Sequence, residues 1–209
     1  MKLRFMFRSM IACPLIACLL ASPAPAKDGL DSLQDWVTPR SDLPPLGHGE
    51  TFNLDTLFGA LKVAPDQTSA KAIEDRIWAI WLASGSDTCT LLMSRVKAAT
   101  DDKAYELAIK LLDAVVALKP DYVEAWNQRA TIYYLNGDYA RSIADIGQVL
   151  AREPRHFGAL SGLGMMLQEL GDDKDALDAY RRALAIDPHL DNLADIVKTL
   201  TEKVEGREI

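Results

Sequence analysis

From Val123 to Leu190 the apolar positions recur with a helical period, and the whole pattern then repeats. Two blocks of 34 residues, VEAWNQRATIYYLNGDYARSIADIGQVLAREPRH and FGALSGLGMMLQELGDDKDALDAYRRALAIDPHL, align without a gap. In the first block Trp126, Ala130 and Tyr133 share one face of a helix that Gly137 ends. Ser142, Ile146 and Val149 form the inward face of a second helix, which stops at Pro154. The next block sets Leu160, Leu163, Gly164 and Leu167 before Gly171, then Ala176, Tyr180 and Ala183 before Pro188. Self-similarity at this period predicts helical hairpins stacked side by side, because no single unit can bury its apolar face alone. Small residues at Gly164, Ala176 and Ala183 let paired helices approach closely, and Tyr180 is expected to fill the space between units.

The same phase extends upstream. Ala108, Leu112, Val115 and Pro120 stand where Ser142, Ile146, Val149 and Pro154 stand one block later, so residues 89–122 read as a further unit. Its corner is Asp101-Asp102-Lys103, with no glycine for the left-handed residue that usually follows such a helix. Before it, Asn53 can cap a short helix carrying Leu54, Leu57, Phe58 and Leu61, which ends before Pro65. Thr68 to Ser84 predicts a second helix, with Ile73, Ile77, Ile80 and Trp81 on one face, Trp78 widening it and Gly85 as the stop. Residues 52–88 are thus a diverged leading hairpin, expected to be the N-terminal cap of the stack. After residues 123–156 and 157–190, residues 191–209 supply a last helix and tail. Its stripe of Leu193, Ile196, Val197, Leu200 and Val204 suits a cap for the open end.

The front of the chain is different. Residues 27–51 hold Pro39, Pro44, Pro45, Gly47 and Gly49 without a helical period and read as an extended tether in which Trp36 is exposed. Residues 1–26 follow the plan of a secretory signal peptide: basic Lys2, Arg4 and Arg8, an apolar run from Ser9 to Ala21, and the small-residue end Ala24-Pro25-Ala26, with cleavage after Ala26. The apolar run is short for a membrane span, which needs about 20 residues. A rival reading takes Leu15-Ile16-Ala17-Cys18, which resembles a bacterial lipobox, as a site of lipidation at Cys18. Both readings export the chain, most simply to the periplasm, and the second anchors it in the outer membrane. Loss of residues 1–26 leaves 20 basic against 30 acidic residues, a net of −10. That charge argues against nucleic acid or anionic lipid as the main partner. Cys89 then remains alone, so no internal disulfide can form and packing must hold the fold.

Leu160, Leu163, Gly164, Leu167, Ala176, Tyr180, Ala183 and Pro188, together with Trp126, Tyr133 and Pro154, stand at the signature positions of the tetratricopeptide repeat, which the chain resembles over about half its length. Arg129 departs from the pattern, since a leucine is usual there. The resemblance implies an all-α, right-handed superhelix of helix-turn-helix units in which the first helix of each unit lines the concave face. On that register the side chains facing a ligand are Met93 and Lys97, then Glu124, Asn127, Thr131 and Tyr134, then Ser161, Met165 and Gln168. The set lacks the lysines and asparagines with which some cytosolic members grip a C-terminal carboxylate. Arg95 and Arg129 occupy equivalent places in successive units. They are expected to find acidic partners or helix-end carbonyls, or to act as a stacked pair reading an anionic group.

No catalytic constellation emerges. His48, His156 and His189 lie in the tether and in turns, none spaced with a second ligand as a zinc site needs. There is no nucleophile motif and no phosphate-cradling loop, so neither enzyme activity nor a cofactor is expected. The expected function is a non-enzymatic scaffold of the cell envelope that holds a protein or peptide on its concave face. Alternatives are a structural outer-membrane component lipidated at Cys18, the one case implying membrane association, and an accessory subunit of an envelope enzyme.

Overall fold

A computed structural model describes residues 53–206. The segments read as a leader and a tether, residues 1–26 and 27–51, lie outside the described residues. Among the described residues there are nine helices and no strand: α1 Leu54–Lys62, α2 Gln67–Leu82, α3 Asp87–Asp101, α4 Tyr105–Leu118, α5 Val123–Leu135, α6 Tyr139–Arg152, α7 Phe157–Glu169, α8 Asp173–Ile186 and α9 Leu193–Val204. The pairs α3–α4, α5–α6 and α7–α8 are the three repeats, and each packs on the next.

The corners within the repeats show why the period is strict. Gly137 and Gly171 stand at φ +75° and +82°, and the amides after them reach back to Tyr133 and Leu167 carbonyls at 2.8 Å. This is the double bond pattern that satisfies the orphan carbonyls of a helix end. Lys103, at the equivalent place in the first repeat, takes the same left-handed conformation at φ +57°, and the Ala104 amide donates to the Ala99 carbonyl at 2.7 Å. The corner is therefore specified without a glycine, because the two backbone bonds and packing outweigh the steric cost of about 1–2 kcal/mol. Asp138 and Asp172 then cap α6 and α8 through their side chains.

Inside the stack, Ala108, Leu112, Val115, Ala130, Ile146, Val149, Leu160, Ala176, Tyr180 and Ala183 are buried. Trp126 and Leu163 are half-buried, and Tyr133 is buried at the edge of the core. A methyl added at Gly164 would stand 2.5 Å from the Tyr180 ring, so this glycine sets the separation of α7 and α8. Helix α9 lays Leu193 and Leu200 on α8 and is tied to it by ion pairs from Arg181 to Glu205 and from Lys203 to Asp173.

The leading hairpin departs from expectation. Residues 52–88 are not an end cap ahead of α3. Helices α1 and α2 instead lie along the side of the stack, across the turns that join one repeat to the next. Leu57, Phe58, Leu61, Ile77, Trp78 and Trp81 pack with Phe157 of α7 and with Ile186 and Leu190, near the far end of the chain. The physical reason is the partner surface on offer: Phe157, Ile186 and Leu190 are apolar side chains at turns that would otherwise face water. Against them the hairpin buries three large aromatics in one patch.

Candidate partner-binding surface

The turns between repeats form a ladder, and the hairpin reads every rung. Tyr122, His156 and Leu190 are equivalent residues one repeat apart, as are Lys119, Glu153 and Asp187. At the first turn the Tyr122 hydroxyl donates to the Leu82 carbonyl at 2.8 Å, and the Lys119 ammonium donates to the Ser84 carbonyl. At the second, Trp81 stacks flat on His156, with ring centres 4.0 Å apart and planes 9° from parallel, while Trp78 meets His156 and Phe157 edge-on. Arg155 leaves the same turn to bond Asp55 of α1 at 2.6 Å and to lie over the Phe58 ring. At the third, Gln67 donates to the His189 carbonyl and to Asp191 at 2.8 and 2.9 Å, and the His189 ring bonds the Ala64 carbonyl. Helix α2 thus runs from the third turn back to the first. Its 16 residues span about 24 Å at the helical rise, enough to cross three stacked units.

Beneath Trp81 lies a buried polar cluster. His156 is fully buried; its Nδ1 accepts the Ala159 amide at 3.1 Å, and its Nε2 lies 3.6 Å from Glu124 Oε2. Glu124 also accepts from Asn127 and Gln128.

A second buried carboxyl sits at the third turn. Asp187 ends α8 and is fully buried, with the His189 amide donating to it at 2.9 Å and Glu74 of α2 facing it. Burial pushes the Asp187 carboxyl above its ordinary range, against the pull of the His189 amide and ring. A carboxyl raised in the folded state stabilises the fold fully below its unfolded value, and that contribution is lost as pH rises through the folded value. Asp187→Asn is therefore expected to stabilise the protein at neutral pH, with the gain closing as the solution is acidified. Denaturant titrations of both proteins at neutral and acid pH check this.

The nine residues expected on the concave face divide into two groups. Glu124, Asn127, Thr131, Ser161 and Met165 are buried, so the expectation that they touch a ligand is corrected. Glu124 is covered where α2 crosses the start of α5. Met165 packs in the core with Ala130 and Ile146, where α5 and α7 meet. Met93, Lys97 and Tyr134 are half-buried and Gln168 is exposed, so these four stay accessible. Lys97 pairs with Asp101. The Tyr134 and Tyr139 hydroxyls both donate to Glu169, at 2.8 and 2.7 Å, and Tyr180 donates to Gln168. Burial and then Glu169 push the Tyr134 hydroxyl up, so it remains a donor at any ordinary pH.

Arg95 and Arg129 do not behave as a pair. Arg95 is exposed. Arg129 forms a two-pronged bond with Asp145 at 2.7 and 2.8 Å, adds Asp113 at 2.8 Å and lies over the Trp126 ring. The bond to Asp145 holds the guanidinium charged, and the residue ties α5 to both α4 and α6. Not foreseen from the sequence was that Trp81 and the end of α2 meet the turn residues Tyr122 and His156, and that Leu190 packs with the hairpin. The usable signal was the identical spacing of the last three, together with the tryptophans crowded on α2. Among the described residues no group of three or more His, Cys, Asp or Glu is placed to hold a metal ion.

Comparison with known proteins agrees with this architecture. The tetratricopeptide repeat family matches over residues 95–146 and 127–191. A TPR repeat-containing protein of Rhizobium etli is 43% identical over 153 residues, covering 73% of this chain and 75% of that one. Among solved structures, the first TPR of Spaghetti (RPAP3) bound to HSP90 peptide SRMEEVD is similar at a TM-score of 0.54 and 18% identity, covering 57% of this chain and 95% of that one. The Sgt2 TPR domain from Aspergillus fumigatus gives 0.53 at 24% identity, covering 57% and 81%. At these identities the two structures speak for the fold alone. With its period, its corners and its relative in Rhizobium etli, the chain belongs to the tetratricopeptide repeat family.

Proposed function

We propose that this protein is a non-enzymatic adaptor of the bacterial cell envelope that holds an extended peptide or a partner helix on the open part of its inner face. The observation that carries this reading is the division of that face. Its floor is closed by α2 and by the contact of α5 with α7, while Met93 and Lys97 on α3, Tyr134 on α5 with its hydroxyl on Glu169, and Gln168 on α7 remain accessible. This strip offers an aromatic ring, an adaptable thioether, an amide and a carboxylate, a set suited to backbone groups and mixed side chains. A peptide seated on a chain of the same fold, as in the Spaghetti complex, supports the mode of binding. The leader pattern of residues 1–26 supports export. No described helix is long and apolar enough to cross a membrane.

A photo-crosslinker placed in cells at Tyr134 or Gln168 is expected to trap a protein partner, and one at buried Asn127 to trap none. Trapping only from the outer side of the stack, for example from Gln148, would overturn the reading. The lipobox-like Leu15-Ile16-Ala17-Cys18 favours a second reading, in which the same adaptor is anchored in the outer membrane. The mass of the mature N-terminus distinguishes them, showing either Lys27 or an acylated cysteine.

A further inference from the structure

We infer that the third turn is a proton-dependent clasp: Glu74 of α2 and Asp187 at the end of α8 share one proton while the hairpin is seated, and its loss as pH rises frees the corner between α1 and α2. The inference does not rest on the partner-binding reading above.

Equivalent rungs of the ladder show what is unusual here. At the first, the Lys119 ammonium donates to the Ser84 carbonyl. At the second, the buried Glu153 is matched by a permanent cation. Arg155 reaches it with Nε at 3.0 Å and Nη2 at 3.3 Å, and the Arg155 amide adds a third bond at 3.0 Å. His189 stands where Arg155 stands one repeat earlier. Its amide keeps the corresponding bond to Asp187, at 2.9 Å, but its ring turns to the Ala64 carbonyl at 3.0 Å. The third acid therefore lacks the guanidinium that the second one has.

An acid takes the place of that cation. Asp187 is fully buried and Glu74 nearly so. Asp187 Oδ1 accepts the His189 amide, whereas no donor among the described residues reaches the buried Oδ2, and Glu74 faces the carboxyl within hydrogen-bonding reach. Two carboxylates cannot both stay ionised in one dry contact, but a carboxyl and a carboxylate can share a proton between them. The surrounding charges leave the conflict in place. On α2, exposed Lys71 lies 3.9 Å from Glu74 and is shared with Asp75 at 3.5 Å. In the turn, Asp191 adds a like charge that the His189 ring opposes. On α1, Asp55 is engaged by Arg155 and Lys62 is exposed. The raised Asp187 carboxyl described above agrees with a shared proton.

What the proton holds down is apolar cover. Leu61 and Ala70, on either side of the corner, are fully buried in one cluster with Ile186 and Leu190, so release bares a patch beside the third turn. The far end of α2, where Trp81 stacks on His156, is not part of the clasp.

Hydrogen exchange of the full chain between about pH 5 and about pH 9, corrected for the intrinsic rate, tests the inference. Protection at the end of α1 and in the first half of α2 is expected to fall by about tenfold or more over that range, while the centre of α6 keeps its protection. Asp187→Asn and Glu74→Gln are each expected to hold the corner's protection within about threefold, because an amide supplies the missing hydrogen bond at every pH. Unchanged helicity and protection in α6 show that these variants still fold. His189→Gln keeps a donor for the Ala64 carbonyl and is expected to leave the pH dependence in place. Protection of the corner that does not change with pH in the wild type would overturn the inference. So would a fall that persists in both amide variants, or one that disappears in His189→Gln.

Discussion

Trp81→Ala is expected to release the leading hairpin and to lower stability by about 3–5 kcal/mol, the range for removing a buried tryptophan. Trp81 is buried and is the hub of the contact, touching Phe58, Trp78, His156 and Phe157. Without it the His156 ring loses its cover while remaining hydrogen-bonded only through Nδ1. The remaining polar ties, from Tyr122, Lys119, Gln67 and Arg155, contribute roughly 1 kcal/mol each, beside what apolar contact Phe58, Ile77 and Trp78 keep. Without the hub of that contact these are expected to be too little to order two helices against their conformational entropy. The three repeats bury one another independently of α1 and α2, so they are expected to stay folded. Hydrogen exchange checks this: the amides of α1, α2 and the first turns of α5 and α7 are expected to lose protection, and the centres of α6 and α8 to keep it. Uniform loss of protection along the chain would mean that the hairpin and the repeats are one cooperative unit.

Gly164→Ala is expected to cost about 1–3 kcal/mol although it adds a single methyl group and raises helix propensity. The added carbon would lie 2.5 Å from two carbons of the Tyr180 ring, well inside contact distance. Tyr180 has little room to withdraw, since it is fully buried and its hydroxyl is bonded to Gln168 across the helix pair. Denaturant unfolding of Gly164→Ala, Tyr180→Leu and the double variant forms a cycle. The double variant is expected to be more stable than the sum of the single losses allows, because the shortened side chain clears the methyl. Gly147, where an added methyl meets nothing within 4 Å, serves as the control and should tolerate alanine.

The repeats were legible in the sequence because their determinants are local. A 34-residue period, a glycine at each corner and a proline after each second helix leave little freedom in where the helices fall. Even the shift of α2 from the expected Thr68–Ser84 to Gln67–Leu82 has a local cause, the Asp66 carboxylate accepting the Ser69 amide at 2.8 Å. Lys103 shows the limit of the same logic, since nothing in the residue itself signals a left-handed corner; the repeat geometry imposes it. The position of the hairpin was not legible. The apolar faces of α1 and α2 say that they are buried but not against what, and their partners lie far away in sequence. Gln67 and Asp191 are 124 residues apart, and Arg155 and Asp55 are 100.

The site followed the same division. The inward register of α5 and α7 could be counted from the repeat, but which inward residues stay accessible depends on a hairpin whose place could not be counted. Arg129 is the instructive case of the opposite kind. Its partners Asp113 and Asp145 lie 16 residues to either side and belong to the neighbouring helices, so its structural role follows from spacing alone once the repeat is recognised.

The arrangement of α2 along the ladder of turns is tested most directly by a pair of cysteines. In a chain without residues 1–26, which carry Cys13 and Cys18, Gln67→Cys and Asp191→Cys replace two side chains that touch in the structure, while the native Cys89 is buried and out of reach. A short thiol crosslinker is expected to join them rapidly within one chain, and Ala83→Cys with Asp191→Cys, both exposed but at opposite ends of α2's path, is expected to remain unlinked. A hairpin stacked ahead of α3 would keep residues 67 and 191 at opposite ends of the molecule, so failure of the first pair to crosslink would contradict the placement of α2 across the turns.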